Sequence, residues 1–553
     1  MLGFGRRALG LDVPDPPHTV AILHDHDEPD VPELSPSELV QLQRIRRFGA
    51  VGAVLMAIGA LGAGAQPVLQ NPTYGQPVLG LFSRTLTSSL AICWVGIVMV
   101  VLAWLLLGRF ALGDLHHGAP RRLTRSQLDR TLLLWVLPLT VAPPMFSRDV
   151  YSYLAQSEIA LRGLDPYVLG PAPALGVGDV LTSTVPNIWR ETPAPYGPLF
   201  LWLGKGIAAM TGDNILAGIF LHRLLALAGV SLIVWALPRL ARSCGVSEVT
   251  ALWLGAANPL VLFHLVSGVH NEALMLGLML AGVVLAMEAV DSPLPLRGHQ
   301  FVLLVGGCTL IAVSAMVKIP TLAALGFVGM ALARRWAGGE GAAWPGAPAA
   351  RRWRALLLSG AMMSAIAVVV TLGVTFVSGL GFGWVNTLGT ANAVRSWMSL
   401  PTAFGVITGF AGVLLGLGDH TTAVLNLTRP IAAAAAAFVV LRMLVATYTG
   451  RLPVVGALGV AFGAIVLFFP VVQPWYLLWA VLPLAAWATR PAFRVPTIAF
   501  SSVVCIILMP TGKDEVPFVI VQAALAATIT VALLIFATRR VLPWRAHRAV
   551  PAR

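Results

Sequence analysis

The stretch FSRDVYSY, residues 146–153, places an arginine and an aspartate side by side where a long apolar run ends. A carboxylate at such a boundary can accept a proton from a hydroxyl group. An unperturbed aspartate has a pKa of about 3.9, and Arg148 should hold Asp149 in the charged form. In a helix that starts here, Asp149, Ser152 and Gln156 share one face. The alternative is that Asp149 only caps this helix or pairs with Arg148.

A second polar group interrupts the apolar sequence in VHNEALMLG, residues 269–277. His270, Asn271 and Glu272 stand at the outer start of a predicted span. Asn271 as a helix cap, with Glu272 favoured by the helix dipole, explains the pattern structurally. The functional interpretation is that His270 and Glu272 line a polar cavity facing the first stretch.

Aromatic residues follow a proline-rich turn in FPVVQPWYLLW, residues 469–479. Gln473, Trp475 and Tyr476 are predicted at the outer start of a late span. Trp and Tyr are enriched at membrane interfaces, so anchoring is the structural explanation. Their faces also suit stacking on a sugar ring or on the first isoprene units of a lipid.

Positively charged residues are scarce on the predicted outer side, so each one is informative. Arg223 lies inside a span beside His222, Lys318 ends a span, and Arg395 belongs to an outer loop. A buried cation without a partner costs several kcal/mol. Each is therefore expected to meet either a structural carboxylate or the phosphate of a lipid-linked substrate, which Arg binds bidentately.

Motifs for other kinds of chemistry do not occur in the sequence. It contains no GxSxG, no HExxH, no P-loop and no GxGxxG after a strand. The carboxylates, cations and aromatic residues of the predicted outer side suit a one-step displacement at a sugar carbon. In such a step a carboxylate accepts a proton from the incoming hydroxyl and a phosphate leaves. Asp165 and Glu191 are further candidates for contacts with a metal ion or with the acceptor, although no metal is expected.

The elements that position these residues follow from composition. The chain has 553 residues, of which 57% are hydrophobic and 11% charged, far below the roughly 25% charged residues of soluble proteins. Repeated apolar runs near 20 residues predict an all-α polytopic membrane protein and exclude an outer-membrane barrel. The net charge of +13 resides in short clusters between the runs, which fits the positive-inside rule better than nucleic-acid binding.

The apolar runs predict about fourteen membrane-spanning helices, with a range of 12–16. Basic clusters such as RIRR, PRLARS and TRRVLPWRAHR place both termini in the cytoplasm when they are put inside. The predicted spans are 47–67, 87–108, 129–145, 217–238, 247–267, 271–290, 300–317, 320–334, 352–377, 427–447, 453–470, 474–489, 496–511 and 516–538.

The regions outside these spans give the predicted organisation. Residues 1–44 are expected to form a disordered acidic cytoplasmic tail, 45–540 the transmembrane domain and 541–553 a basic cytoplasmic tail. Two external loops, 146–216 and 378–426, contain apolar segments that would reverse the charge pattern if they crossed. Segments 196–212 and 399–418 are therefore placed along the outer surface as interfacial helices.

Several of these motifs together resemble a known family. FSRDVYSYLAQSEI, GLDPY, ETPAPYGPLFLW, LWLGAANPL and GVHNEALMLGLML are similar to the MptA/MptB α-1,6-mannosyltransferases of mycobacteria and corynebacteria, and most closely to the B type. These belong to the GT-C superfamily of membrane glycosyltransferases that use polyprenyl-phosphate sugars. The resemblance runs from about residue 45 onward and is most specific between 132 and 278.

The resemblance implies a decaprenyl-phosphomannose donor and a phosphatidylinositol-mannoside or α-1,6-mannan acceptor, as in lipomannan and lipoarabinomannan assembly. It also implies a periplasm-facing site in the plasma membrane, inversion at the anomeric carbon, Asp149 as general base, and His270 and Glu272 on the acceptor side. Tyr151 and Tyr196, within the matching motifs, are expected substrate contacts. The alternatives are a GT-C transferase for another polyprenyl-phosphate sugar, or a transporter or flippase for a lipid-linked sugar.

Overall fold

A computed structural model describes residues 23–24, 34–113, 121–338, 348–393, 396, 398–542 and 544. Within these residues the backbone is helical, with connecting turns and no strand. The predicted all-α architecture is therefore confirmed. Seven helices are long and apolar enough to cross a membrane, and five more are apolar but shorter.

The helices are numbered here in chain order, and three 3-10 segments and one π-helical segment interrupt the series. The first ten are α1 Pro36–Ala63, α2 Leu79–Arg84, α3 Leu86–Ala111, α4 Arg125–Val141, α5 Asp149–Leu161, α6 Pro171–Leu175, α7 Val180–Thr184, α8 Asn187–Arg190, α9 Pro198–Thr211 and α10 Ile215–Ser243. The rest are α11 Glu248–Leu254, π-helical Val261–Ser267, α12 Glu272–Val290, α13 His299–Ala315, 3-10 Ile319–Leu322, α14 Ala323–Trp336, α15 Ala349–Ser378, 3-10 Gly383–Ala393, α16 Leu400–Leu414, α17 Thr421–Tyr448, α18 Val454–Phe468, 3-10 Pro474–Tyr476, α19 Leu477–Ala485, α20 Pro491–Ile507 and α21 Pro517–Thr538.

Every predicted span contains helix, but one of them is not continuous. The expected span 247–267 consists of α11 and then a π-helical segment, separated by a turn at Asn258. The Asn258 side chain accepts from the Leu260 backbone and donates to the Leu254 carbonyl and the Ser501 hydroxyl. The turn thus satisfies its own polar groups inside the protein, where irregular backbone is tolerated. The number of spans stays a prediction.

The two segments assigned to the outer surface are both helices of modest length. α9 has 14 residues and α16 has 15. At 1.5 Å per residue each is about 20 Å long, shorter than the roughly 30 Å apolar core of a bilayer. Helices α14 and α18, which lie in predicted spans, have 14 and 15 residues. Length therefore does not decide whether α9 and α16 cross, and their placement along the outer surface stays a prediction.

The predicted tails meet the described residues only at their edges. α1 begins at Pro36 with a capping box formed by Ser35 and Glu38. Residues 36–44, which were assigned to a disordered tail, are therefore helical, and that boundary was wrong. A capping box is a strong start signal because it satisfies two free N–H groups at once. Most of residues 1–33 and of 541–553 lie outside the described part of the chain.

Close helix crossings in the first half depend on glycine. A Cβ at Gly229 in α10 would lie 2.2 Å from the Ala273 carbonyl carbon of α12, and one at Gly277 would lie 2.4 Å from the Gly229 oxygen. Small residues of this kind let two helix backbones approach within a membrane. The crossing fixes α12, whose first turn carries Glu272, against α10.

Candidate active site

The backbone before α5 is held in an unusual conformation. Phe146 has a positive φ of 67°, and its N–H donates to the Pro510 carbonyl at 2.9 Å. The Ser147 hydroxyl then accepts from the Asp149 N–H at 3.1 Å. A bulky residue in the left-handed region is strained, and such strain is typically maintained at functional sites. These contacts place Asp149 at the first position of α5.

Helix α5 is enclosed more fully than an interfacial helix would be. All residues from Val150 to Ala160 are buried. α9 packs on it so closely that a Cβ at Gly204 would lie 2.0 Å from the Ser157 hydroxyl. Ser152 and Gln156, which were predicted to share a face with Asp149, are therefore buried. Asp149 itself keeps 26% of its side chain exposed, so one carboxylate at the helix end remains accessible.

His270 stands between two carboxylates. Its Nδ1 lies 3.6 Å from Asp149 Oδ2 and 3.9 Å from Glu272 Oε2. The imidazole stacks on Trp475, with ring centroids 3.6 Å apart and planes 24° from parallel. Val269, directly before it, has a positive φ of 59°, a second strained position next to the site. Burial, and then the positive charge of Lys318, hold the pKa of His270 well below its usual value, so the ring is neutral.

Lys318 completes this group from another part of the chain. Its ammonium donates to Glu272 and to the Tyr476 hydroxyl, the latter at 3.0 Å, and lies 4.5 Å from the centre of the Tyr476 ring. Burial lowers the pKa of Lys318, but the Glu272 carboxylate and the Tyr476 hydroxyl together outweigh burial and raise it. We call Asp149, His270, Glu272 and Lys318 the acidic cluster. It joins four sequence-predicted residues from three separate stretches.

The turn at residues 196–198 packs against the backbone of residues 316–317, directly before Lys318. The Gly197 N–H donates to the Val317 carbonyl at 3.0 Å, and a Cβ at Gly197 would lie 2.1 Å from the Met316 oxygen. Only glycine fits here, which explains why the motif reads Tyr-Gly-Pro. Tyr196 packs edge-on against Tyr153 of α5, with centroids 5.1 Å apart. The turn therefore ties α5 to the segment that carries the cation.

The charge state of Asp149 differs from the expectation. Burial, and then the negative charge of Glu272, raise its pKa to about 6, while Lys318 and the Ser147 hydrogen bond act against this rise. Arg148 does not hold it ionised, so that expectation was wrong. A carboxylate with a pKa near 6 is still mostly ionised at neutral pH and is a stronger proton acceptor than a free aspartate.

Several polar atoms beside the acidic cluster are buried without a partner. Across the described residues, no hydrogen bond reaches either ring nitrogen of His270, either side-chain atom of Asn271, or Glu272 Oε2. Buried polar atoms are almost always satisfied, so such a concentration points to a missing ligand or to water. Asn271 makes no side-chain capping bond, which contradicts its expected role as a cap.

Arg148 points away from its neighbour in sequence. Its guanidinium donates to the carbonyls of Gln66 and Thr184, at 3.1 and 3.3 Å, and lies 5.1 Å from the centre of the Tyr151 ring. The Tyr151 hydroxyl donates to the Ala65 carbonyl and is buried. Tyr151 therefore serves as a support for Arg148 and the 65–66 turn, and the predicted pairing of Arg148 with Asp149 is wrong.

Arg223 has neither of its two expected partners. It is buried in α10, and its guanidinium donates to the carbonyls of Thr140, Ala142 and Ser267. Two of these carbonyls lie at the end of α4, where the helix dipole favours a cation. No carboxylate or phosphate is needed to hold it. His222 Nδ1 donates to the Gly218 carbonyl, 2.9 Å away, while its Nε2 is buried without a hydrogen-bond partner in the described part of the chain.

The remaining predicted residues lie apart from the acidic cluster or outside the description. Asp165 is exposed and accepts from the Tyr167 N–H in a turn, and Glu191 is exposed after α8. Among the described residues, neither forms a hydrogen bond or ion pair with the cluster. Gln473 is half-buried before the Trp475 turn. Arg395 lies outside the described residues.

His264 is a site residue that sequence reasoning missed. It is fully buried in the π-helical segment, with ring centroids 5.4 Å from Trp475 and 6.1 Å from His270. Its two ring nitrogens lack hydrogen-bond partners in the described part of the chain. A lone histidine inside an apolar run gave no signal beyond its polarity within a predicted span.

The arrangement combines a partly exposed carboxylate, a buried neutral histidine, a paired cation and a stacked aromatic surface. This set can accept a proton from a hydroxyl group and present flat apolar faces to a sugar ring. It holds no close nucleophile-and-base pair of the hydrolase type among the residues described.

Comparison with protein families gives two matches. A family model described as alpha-(1->6)-mannopyranosyltransferase, N-terminal domain, matches residues 46–334. A second, described as MptB C-terminal domain, matches residues 401–536. Between them they include the acidic cluster in the first match and Trp475 and Tyr476 in the second.

Curated relatives are similar over nearly the whole chain. A probable alpha-(1->6)-mannopyranosyltransferase of Mycolicibacterium smegmatis is 54% identical over 97% of this chain and 95% of its own. An alpha-(1->6)-mannopyranosyltransferase of Mycobacterium tuberculosis is 51% identical over 95% and 93%. Alpha-(1->6)-mannopyranosyltransferase B of Corynebacterium glutamicum is 39% identical over 91% and 83%.

A solved structure gives a much weaker likeness. The oligosaccharyltransferase of Archaeoglobus fulgidus covers 72% of this chain and 53% of its own, at 12% identity and a TM-score of 0.32. This score is too low to support an argument about the site.

Proposed function

Because this chain belongs to the MptA/MptB family of alpha-(1->6)-mannopyranosyltransferases, we propose that it transfers mannose from a polyprenyl-phosphomannose to a mannoside acceptor with Asp149 as general base. The chain is a membrane-embedded glycosyltransferase. We further propose a decaprenyl carrier and a phosphatidylinositol-mannoside or α-1,6-mannan acceptor of the lipomannan type. The relatives' names support the sugar and the linkage; the donor and acceptor are our inference.

The observation that carries the proposal is the placement of Asp149. It is a carboxylate with a raised pKa and an accessible oxygen, and it lies 3.6 Å from a buried neutral imidazole. In the proposed step the acceptor oxygen bonds to the anomeric carbon while its proton passes to Asp149. The bond from that carbon to the phosphate oxygen breaks, and the electron pair leaves with the polyprenyl phosphate. A single displacement of this kind inverts the anomeric centre.

The other members of the acidic cluster would bind and orient the sugars. His270, Asn271 and Glu272 offer unpartnered buried atoms to ligand hydroxyls, and such atoms discriminate strongly for groups that satisfy them. Trp475, with its ring stacked on His270, fixes the plane of the imidazole. Two described cations, Lys318 and Arg148, lie at the edge of this region and are candidates for the phosphate.

The step as proposed uses no metal ion. In the described part of the chain, no group of three His, Cys, Asp or Glu side chains is arranged to hold one. We also propose that the termini are cytoplasmic and that the acidic cluster faces the periplasm, since the basic clusters of the sequence favour this orientation.

The test is a purified-enzyme assay with polyprenyl-phosphomannose and a short α-1,6-mannoside acceptor. Asp149→Asn keeps the shape of the side chain but cannot accept the proton, so the rate should fall by about 10²-fold or more. Asp213→Asn, which changes an exposed aspartate of the same outer region, is the matched control and should be unaffected.

Two outcomes would contradict the proposal in different ways. Near-normal turnover by Asp149→Asn would remove this residue as the base while leaving the activity intact. Absence of any mannose transfer by the wild-type protein, with binding of the lipid-linked sugar retained, would favour a transporter or flippase.

A further inference from the structure

Two arginines converge on one short run of backbone beside Asp149. Arg190 donates to the carbonyls of Ser183 and Val185, at 2.7 and 2.9 Å, and Arg148 donates to the carbonyl of Thr184 between them, at 3.3 Å. Three consecutive carbonyls thus receive two guanidinium groups. We call Arg148 and Arg190 the arginine pair. Arg190 was not among the residues that the sequence singled out.

The arginine pair lacks the acidic partners that Arg162 has. Arg162, in the same outer region, forms ion pairs with Glu158 at 2.8 Å and Asp179 at 3.8 Å. Across the described residues, no carboxylate forms an ion pair with Arg148 or Arg190. Carbonyls satisfy some of their N–H groups, as they do for the single buried Arg223, but here two guanidinium charges are close enough to act on each other. Two like charges held together in a partly buried place are costly unless an anion joins them.

The surroundings show that the two charges act on each other. Burial lowers the pKa of the Arg148 guanidinium, and the positive charge of Arg190 lowers it further. Each guanidinium has five N–H groups in a fixed fork. Only part of each fork reaches the carbonyls, since Arg148 bonds through Nη2 and Arg190 through Nε and Nη2. Both side chains are half-buried, and their remaining N–H groups are available to a further acceptor.

Lys318, the other candidate for an anion, is already neutralised. Glu272 accepts from its ammonium, and the Asp149 carboxylate lies near the same His270 nitrogen as Glu272. Two carboxylates and one ammonium give that side of the site a net negative charge when Asp149 is ionised. A phosphate there would be repelled, whereas the arginine pair carries two uncompensated positive charges. The N-terminus of α5, at Asp149, adds partial positive charge beside Arg148.

We propose that Arg148 and Arg190 together form the binding site for the phosphate of a lipid-linked substrate, and that Lys318 instead orders the acidic cluster. This inference rests on the proposed mannosyl transfer and adds to it the place where the leaving group is held. A guanidinium pair matches the oxygens of a phosphodiester in a bidentate manner. The charge chemistry fits two sources, the phosphate of the donor or the phosphoinositol of the acceptor.

The experiment compares Arg190→Gln and Arg190→Lys with the wild type and with Arg162→Gln, the control arginine that has its own acids. Donor KM is measured with two acceptors, one a phosphate-free alkyl α-1,6-dimannoside and one a phosphatidylinositol mannoside. Loss of one charge-assisted contact should raise the KM of the phosphate-bearing substrate by about tenfold or more with little change in kcat. Arg190→Lys should give a smaller rise, and Arg162→Gln none.

The two acceptors separate the two sources. A higher donor KM with both acceptors identifies the donor phosphate, and a defect seen only with the phosphatidylinositol mannoside, in the acceptor KM, identifies the acceptor phosphate. Either supports the proposal. Unchanged KM values for both substrates in Arg190→Gln overturn it, as does an equal effect of Arg162→Gln.

A binding measurement keeps the question separate from activity and from folding. Polyprenyl phosphate should raise the unfolding temperature of the wild type, and Arg190→Gln should lose most of this rise. A purely structural arginine would instead lower the unfolding temperature without ligand and leave the ligand-induced rise unchanged, which would contradict the proposal. If the wild type shows no mannose transfer but this rise is present and depends on Arg190, only the proposed function fails.

Discussion

Helices α3 and α12 differ from helices α17 and α21 in how much of their apolar surface the protein itself covers. In the most apolar window of α3, 72% of residues are buried, and in α12 78%, against 11% in each of α17 and α21. All four are long and apolar, so composition does not separate them. The first two lie inside a packed body, and the last two present most of their surface to the surroundings.

This difference in burial shows which part of the chain can fix charged side chains in place. The acidic cluster lies beside the packed helices, at the start of α12, where every side chain has fixed neighbours. The later part of the chain contacts it at Trp475 and Tyr476, and the Pro510 carbonyl accepts from the Phe146 N–H just before Asp149. Preorganised groups of this kind need a rigid support, since small displacements are costly for catalysis. The weakly covered helices have room to meet lipids.

The largest effect should come from breaking the ion pair at the centre of the packed body. Lys318→Met leaves the Glu272 carboxylate, whose side chain is 1% exposed, without its cation. This should lower the free energy of unfolding by about 3–5 kcal/mol. The double variant Lys318→Met, Glu272→Gln should recover much of the loss, because no charge is left buried. Thermal unfolding in detergent micelles would measure this recovery. Equal losses of stability in the single and double variants would contradict the prediction.

A matched pair of glycines tests the packing difference directly. Gly229→Ala places a methyl group 2.2 Å from the backbone of Ala273 and should cost about 1–3 kcal/mol. Gly373→Ala, in α15, meets open space and should be neutral or stabilising by up to about 1 kcal/mol, because alanine is the better helix former. Midpoints of denaturation measured side by side would decide. Equal effects would mean that the two regions are packed alike.

The pH dependence of kcat/KM should be set by Asp149, which lies beside the packed helices. Asp149 must be ionised to accept a proton, so kcat/KM should fall as the pH drops through about 6, and be about tenfold lower at pH 5 than on the plateau. Glu272→Gln removes a negative charge that raises the pKa of Asp149, so its acid limb should move to lower pH. A limb that stays in place would show that Glu272 does not act on Asp149.

The smallest effect is expected on the poorly covered side. Phe518 in α21 is 67% exposed, and Phe518→Leu should change the free energy of unfolding by no more than about 0.5 kcal/mol. The measurement is the same thermal unfolding. A loss above about 2 kcal/mol would show that another protein surface covers α21, and the contrast between the regions would then be weaker than the chain alone suggests.

The members of the acidic cluster could be predicted from the sequence because ionisable residues are rare in so apolar a chain. Asp149, His270, Glu272 and Lys318 could be named on that ground, and the apolar runs correctly predicted an all-helical chain, whereas their number of about fourteen spans stays a prediction. Their pairing could not be predicted. Lys318 meets Glu272 and Tyr476 across long separations, and sequence spacing carries no record of such contacts.

Two predictions failed for different physical reasons. Successive residues at a helix start point in directions about 100° apart, so Arg148 and Asp149 are neighbours in sequence but not in space. Arg223 satisfies its charge with carbonyls, and backbone carbonyls occur at every position. Residue types do not reveal a backbone carbonyl as a partner, and an anion was therefore expected near Arg223. The Arg148–Arg190 pair was missed for the same reason.

The contact between Lys318 and Tyr476 also has a consequence for biosynthesis. The ribosome delivers Asp149, His270 and Lys318 well before Trp475 and Tyr476, by a delay on the order of ten seconds or more at the usual synthesis rate. During that interval the early helices can insert and pack, but the histidine has no aromatic surface to stack on and the lysine no phenol. A truncated or half-inserted chain would therefore carry Asp149 without the aromatic side chains that contact His270 and Lys318.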